Sequence, residues 1–351
     1  MSEFLSGFIL SFVITIMATP LTIFFAKKYN FLDDPKKRIH PASIHTTPIP
    51  RAGGVPIFIA IAVASFILIT HNLALFSILI AGLIVVLTGL LDDKYDISPY
   101  IRFLINIFCA GLVVFSGVSI PFVTNPLGGI LNFSMFDVTI LGFNLAVLIP
   151  QMLAIIWIVW VMNMLNWSKG VDGQMPGIAA ISAIIIGIAS LRFPVLESSN
   201  IFVATLSFIT AGAAVGFLIY NFHPAKIFPG YSATILGFLI GIVSILSSVK
   251  LATAILVMGV PTADALITIS RRLYARKSPF WHDRGHLHHL LLAKGWSQTR
   301  IAVFYWVMSA LLGVLALTLS SRGKLFAIIL VLVLAGGFIL TLKYVTKEKH
   351  D

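Results

Sequence analysis

Three histidines, His286, His288 and His289, stand inside the longest polar stretch late in the chain, Arg271–Ser297. Arg271, Arg272, Arg276, Lys277 and Arg284 surround them with fixed positive charge. Imidazoles and guanidinium groups at this density repel one another unless an anion lies among them, and a phosphate suits that place. Asp283 is positioned to cap a helix from about Arg284 to Lys294, which Gly295 would stop. Leu287, Leu290 and Leu291 would then share one side and the imidazoles the other. Two plainer readings compete. A basic run beside a membrane marks topology, and a His-x-His-His cluster can hold zinc, although no Cys or second His/Asp pair at ligand spacing accompanies it.

Other polar groups emerge from apolar surroundings. Asp92 and Asp93, in LLDDKYDIS, are costly there unless solvated or paired. They read as a metal- or phosphate-facing pair, or as the cap of the next helix. Asn163, Asn166, Lys169 and Asp172 recur every three residues, so a helical approach sets the first two on one face. Gly170 and Gly173 would let the backbone close around a ligand there. Arg51 sits among Pro48, Pro50, Gly53 and Gly54, either snorkelling to the membrane edge or meeting phosphate. Asp264 precedes Arg271 by seven residues, roughly 10 Å deep in an apolar run. It is a site candidate by position, with hydrogen bonding to Thr262 or Thr268 as the alternative. Ser232 or Thr234 can cap the helix that follows them.

The elements that must hold these groups are membrane helices. Of 351 residues, 58% are hydrophobic and 11% charged, with 27 Phe, which excludes a soluble globular class. The reading is an all-α polytopic membrane protein. Apolar runs at about 4–26, 53–70, 74–91, 101–120, 145–163, 177–191, 200–220, 232–249, 251–270, 300–319 and 325–343 predict about 11 spans, or 10 if short ones merge. The first run lacks a basic leading region and reads as an uncleaved span. Cys109 lies within a span, so no disulfide is expected. Pro and Gly punctuation across 121–144 predicts a short external hairpin.

Numbering loops alternately leaves only Arg192, Lys250, Arg322 and Lys324, of 24 Lys and Arg residues, on the N-terminal side. The positive-inside rule then puts the N-terminus outside and the C-terminus in the cytoplasm. The net charge of +11 follows from topology and attraction to anionic membrane lipid, with no nucleic acid implied. One integral-membrane domain, 1–351, is expected, with site loops 27–52, 92–100, 164–176, 221–231 and 271–299 converging on the cytoplasmic face. A transporter would instead gather its polar groups near mid-membrane.

The set PIPRAGG, LLDDKYDIS, NMLNWSKGVDG, NFHPAKIFPGYSAT, PTADAL and DRGHLHHLLLAKGWS resembles the polyprenyl-phosphate N-acetylhexosamine-1-phosphate transferases. Its HLHH form is similar to the branch that transfers N-acetylglucosamine 1-phosphate. The resemblance implies transfer of a sugar 1-phosphate from a UDP-sugar to undecaprenyl phosphate, with release of UMP, at the start of cell-envelope glycan (cell wall) synthesis. It implies a multi-pass plasma-membrane enzyme, and a homodimer is one expectation. By the same resemblance Asp92, Asp93, Asp172 and His288 are catalytic. Arg51, Asn163, Asn166, Lys169, Asp264, Arg284, His286 and His289 bind substrate. Magnesium is the implied cofactor, yet Tyr231 stands at the family's ligand position, and Asp92, Asp93 or Asp172 would have to contribute. Lys169 likewise stands where the family carries aspartate. A silent homologue that binds polyprenyl phosphate or UDP-sugar is therefore the alternative to an active enzyme.

Overall fold

The structure is a computed structural model that describes residues 2–35, 47–125, 128–140, 142–192, 197–246, 250–281 and 283–347. Residues 36–46 of the expected loop 27–52, and residue 282 of the loop 271–299, lie outside the described residues. The chain is built from helices: α1 Ser2–Lys28, α2 Gly54–Leu68, α3 Leu73–Tyr95, α4 Pro99–Phe115, α5 Leu145–Trp167, α6 Gln174–Ser190 and α7 Ser198–Asn221. They continue as α8 Ile235–Leu246, α9 Lys250–Val257, α10 Gly259–Tyr274, α11 Leu287–Ala293, α12 Gln298–Thr318 and α13 Ser321–Lys347. Six of them (α1, α3, α5, α7, α12 and α13) are long and apolar enough to cross a membrane. The segments Leu251–Val257 and Gly259–Tyr274 pass that test together but bend by 84° between them, and α2, α4, α6 and the stretch Ser232–Leu246 are shorter apolar helices.

The long helices follow from apolar runs, and some carry a local start signal. The Asn72 side chain accepts from the Leu75 N–H to begin α3, and Ser297 accepts from Arg300 to begin α12. Pro99 occupies the first turn of α4, where its missing N–H costs nothing. The core lies around α8, whose residues Ile235–Ser244 are all buried, as expected of a helix apolar on every side. Side chains of α1 and α13, such as Leu21 and Leu330, point outward and are exposed. Outward apolar surface of that kind fits contact with lipid tails.

Three short hairpins punctuate the bundle. β1 (Leu32–Asp33) pairs antiparallel with β2 (Ile49–Pro50), which brackets the approach to Arg51. β3 (Phe122–Thr124) pairs with β4 (Ile130–Asn132), and β5 (Thr139–Ile140) with β6 (Phe143–Asn144), within the segment expected to form a hairpin.

Two local expectations are corrected. The polar helix begins at Leu287, with His286 at its N-cap and no side-chain cap, not at Arg284. Asp283 does not cap it, because Arg271 and the Gly285 N–H occupy that carboxylate. Ser232 and Thr234 form a 3-10 turn before α8 without a side-chain cap, and the Ser232 hydroxyl is turned to Asp93 instead.

Candidate functional site

The last turn of α3 delivers Asp92 and Asp93 to the bundle interior, both buried. Two ionised carboxylates can be buried only with partners, and each has its own. Arg102, on the first turns of α4, donates from Nη1 to Asp92 Oδ2 at 2.8 Å. Asp93 lies 3.2 Å from Nε of Arg51, and the Tyr231 N–H and the Ser232 hydroxyl donate to it at 2.8 and 3.2 Å. Arg51 also lies 3.7 Å from Asp33 on β1.

Ser232 ties this floor to the scaffold, since its hydroxyl oxygen accepts from the Gly54 N–H at 3.1 Å. Gly89, one turn before the aspartates, is needed for the same approach: a Cβ there would lie 2.2 Å from the Ser232 Cα. Lys169, just past α5, donates from Nζ to the Gly230 carbonyl at 3.0 Å. Its ammonium stands 5.6 Å from the centre of the Tyr231 ring, and the Arg102 guanidinium stands 4.6 Å from it. Burial, then the charge of Arg51, draws the Lys169 ammonium down to about 8, against the pull of Asp93 and Asp92. It therefore remains a cation at neutral pH.

The histidine loop forms the second cluster. Asp264, on α10, accepts from His286 Nδ1 at 2.9 Å and from the Leu287 N–H at 2.8 Å. The expected bonds of Asp264 to Thr262 or Thr268 do not form: the Thr262 hydroxyl turns to the Met164 sulfur, and the Thr268 hydroxyl lies 3.4 Å from His286 Nδ1. His286 and His288 stack at 5.6 Å, and His288 and His289 approach to 4.3 Å. All three are buried. Burial, helped by the neighbouring imidazoles, pushes His288 well below its ordinary range. Burial, then the charges of His286 and Arg284, pulls His289 down to about 4. The imidazoles of His288 and His289 are thus neutral at pH 7, so the repulsion expected from their sequence is relieved by loss of protons. The exposed Arg284 acts on His289 through charge. Asp283, held at about 2 despite its burial by Arg271, the Gly285 N–H and Arg272, pins the start of the loop.

The clusters meet at Gly170. A Cβ on that residue would lie 1.9 Å from His288 Nε2, so the imidazole rests directly on the backbone of the 164–176 loop. Trp167 adds a ring contact to His286 at 6.2 Å. Asp172 stands beyond, where His223 Nδ1 lies 2.8 Å and the Ala225 N–H 3.2 Å from its Oδ2. The Asn163 amide donates to the Val159 carbonyl on its own helix at 2.8 Å. Asn166 keeps a buried Oδ1 without a hydrogen-bond partner.

Arg102, Asn106, His223 and Ser232 were not singled out as site residues from sequence. Arg102 lies one tight turn after the aspartates, so its position after Ser98-Pro99 was the available signal. Asn106, one helical turn further, donates to the Tyr231 hydroxyl at 3.0 Å. The other two depend on long-range folding.

Tyr231 and Lys169 do not suit a hard divalent cation, which prefers several carboxylate and water oxygens. Tyr231, at the position of the implied ligand, is pushed up to about 12 by burial, so its phenol is neutral. Both Asp93 oxygens already accept hydrogen bonds, and three cations crowd the pair. Among the described residues, no three His, Cys, Asp or Glu side chains come together as a metal site.

The family model for glycosyl transferase family 4 matches residues 75–248, which contain both aspartates, Lys169 and Tyr231. A Thermotoga maritima protein named undecaprenyl-phosphate alpha-N-acetylglucosaminyl 1-phosphate transferase is 30% identical, over 86% of this chain and 87% of its own length. The chain belongs to glycosyl transferase family 4. Two other family relatives align over most of their length. A Bacillus subtilis protein named "Probable undecaprenyl-phosphate N-acetylglucosaminyl 1-phosphate transferase" is 29% identical over 93% of this chain and 88% of its own. A Mycobacterium leprae decaprenyl-phosphate N-acetylglucosaminephosphotransferase is 29% identical over 84% and 79%. In this family 4 member the aspartate pair and the histidine loop are both present, and the charges around the pair are what differ from the resemblance.

Proposed function

We propose that the protein transfers N-acetylglucosamine 1-phosphate from a UDP-sugar to undecaprenyl phosphate, releasing UMP, at the start of a cell-envelope glycan. An oxygen of the lipid phosphate attacks the phosphorus that bears the sugar. The bond from that phosphorus to the bridging oxygen breaks, and its electron pair leaves with UMP. The acceptor needs little help from a base, because the second pKa of a phosphate monoester is about 6. The barrier lies in the approach of two anions, so the task of the site is positioning and charge neutralisation. Arg51, Arg102 and Lys169 supply fixed charge, and the neutral imidazoles of His288 and His289 give the phosphates hydrogen-bonding partners. Asn166 and Asp172, each with a buried oxygen lacking a partner, would accept from the sugar or nucleotide.

The observation that carries this reading is the seam at Gly170, where the histidine loop rests on the Lys169–Asp172 segment beside the paired aspartates. The chain is read as one plasma-membrane domain of about eleven crossings, with the N-terminus outside and the site facing the cytoplasm. A cysteine at Asn125 should then react with an impermeant reagent from outside and one at Ser278 should not; the reverse would overturn the orientation. Purified protein given UDP-N-acetylglucosamine and undecaprenyl phosphate should release UMP. Release of none, with both substrates bound, would favour the second reading, a silent binding homologue. One observation supports that second reading: Lys169 and Asp93 are both engaged within the protein, by the Gly230 carbonyl and the Tyr231 N–H.

A further inference from the structure

Three cations, Arg51, Arg102 and Lys169, stand among Asp92, Asp93 and Asp33 at the floor of the site. Nε of Arg102 is buried without a hydrogen-bond acceptor, and the Lys169 ammonium donates to a neutral carbonyl, that of Gly230. Arg51 itself is 6% exposed. A buried guanidinium N–H without an acceptor is costly, and an anionic oxygen is the partner that relieves the cost most. Tyr231 does not compete for that role. Its ring carries two cations beside it, and its hydroxyl accepts from Asn106. The phenol therefore packs the cations in place where a carboxylate would have offset them.

We propose that Arg51, Arg102 and Lys169 neutralise the donor's diphosphate as fixed charges, so that this protein binds nucleoside diphosphates without a divalent cation. The inference rests on the donor class proposed above. It goes further in assigning the neutralising charge to side chains, and in pairing the Lys169 and Tyr231 replacements as one change. Lysine brings charge of the sign a metal would bring. Tyrosine removes the carboxylate that would otherwise form an internal salt bridge with that lysine and quench it.

The test uses the full chain in detergent micelles, with UDP as the probe and calorimetry as the readout. UDP affinity should agree within about twofold in excess EDTA and in magnesium. Lys169→Met, which keeps the apolar stem, should weaken UDP by about tenfold or more in both buffers, the loss of one charge-assisted contact. Lys169→Arg should keep metal-free binding, which guards against a Lys169→Met variant that merely misfolds. Lys169→Asp combined with Tyr231→Asp should make UDP binding depend on magnesium. UDP binding that vanishes in EDTA, no UDP binding in either buffer, or full affinity in a folded Lys169→Met variant would each overturn the inference. The underlying transfer reading fails separately. Metal-free UDP binding without UMP release would sink the transferase and leave the cations standing, whereas UMP release with UDP binding that vanishes in EDTA would do the opposite.

Discussion

The aspartate floor and the histidine loop answer the same problem, ionisable groups in a dry interior, in opposite ways. At Asp92 and Asp93 the charges are kept and each is matched by a guanidinium. At His288 and His289 the rings are buried as neutral species, and the charge is given up. A matched charge is rigid, because removing either partner strands the other. A neutral imidazole stays adaptable as donor and acceptor, and it does not repel the cations a few residues away. Under the proposed transfer the two regions would divide the work, with fixed positive charge on one side and polar groups of low charge on the other.

The comparison is sharpest under truncation. Asp93→Ala would leave Arg51 with only the longer contact to Asp33 and would free the Tyr231 N–H. Breaking a buried pair in this way costs about 3–5 kcal/mol. His288→Ala removes a neutral ring and should cost about 1–3 kcal/mol. Thermal unfolding of the purified variants in one detergent ranks them. Asp93→Ala melting no lower than His288→Ala would remove the distinction between the regions.

Much of the fold was legible because membrane helices are written as apolar runs. The expected runs at 145–163 and 200–220 became Leu145–Trp167 and Ser198–Asn221, extended where polar ends still satisfy a helix. The bend at Met258 was missed although it had a local signal: the run 251–270 carries Gly259 and Pro261, and α10 starts at Gly259, bent by 84° from the segment before it. In the site, type and order brought the aspartates and histidines forward as candidates, but their partnership did not follow. Asp264 and His286 are 22 residues apart, and only the fold brings Nδ1 to 2.9 Å from the carboxylate. At Asn163 spacing did not show that the amide turns back to the carbonyl four residues earlier.

A smaller effect probes the seam between the regions. Gly170→Ala would bring a methyl group against His288 Nε2, and backbone on one side with a buried ring on the other leaves little room to yield. Overpacking of this kind costs about 1–3 kcal/mol. Because the ring would be displaced away from Lys169, UDP affinity should fall together with the melting temperature. Unchanged values of both would mean the seam is slack and the two clusters are independent.

Acidification gives the smallest effect and tests the neutral rings directly. His289 has a folded pKa of about 4 against an ordinary 6.5, through burial and the charges of His286 and Arg284, with Asp264 and Asp283 opposing. The unfolded chain therefore takes up a proton before the folded one does. Stability from this group is fully present above about pH 6.5 and is lost as pH falls toward about 4. Between about pH 7.5 and about pH 5.5 the loss should be about 1 kcal/mol for this imidazole. His288, shifted the same way, should add to it. Asp283 does not contribute in that window, because its depressed pKa places its own loss below the ordinary 3.8 and toward about 2. Lys169 adds little, since its folded value of about 8 lies above the window and the group is mostly protonated in both states. The melting temperature of the wild type should thus drop over this range, and His289→Gln should flatten the slope. A wild-type melting temperature that holds constant or rises on acidification would mean the rings are already charged when folded, and the contrast with the aspartate floor would collapse.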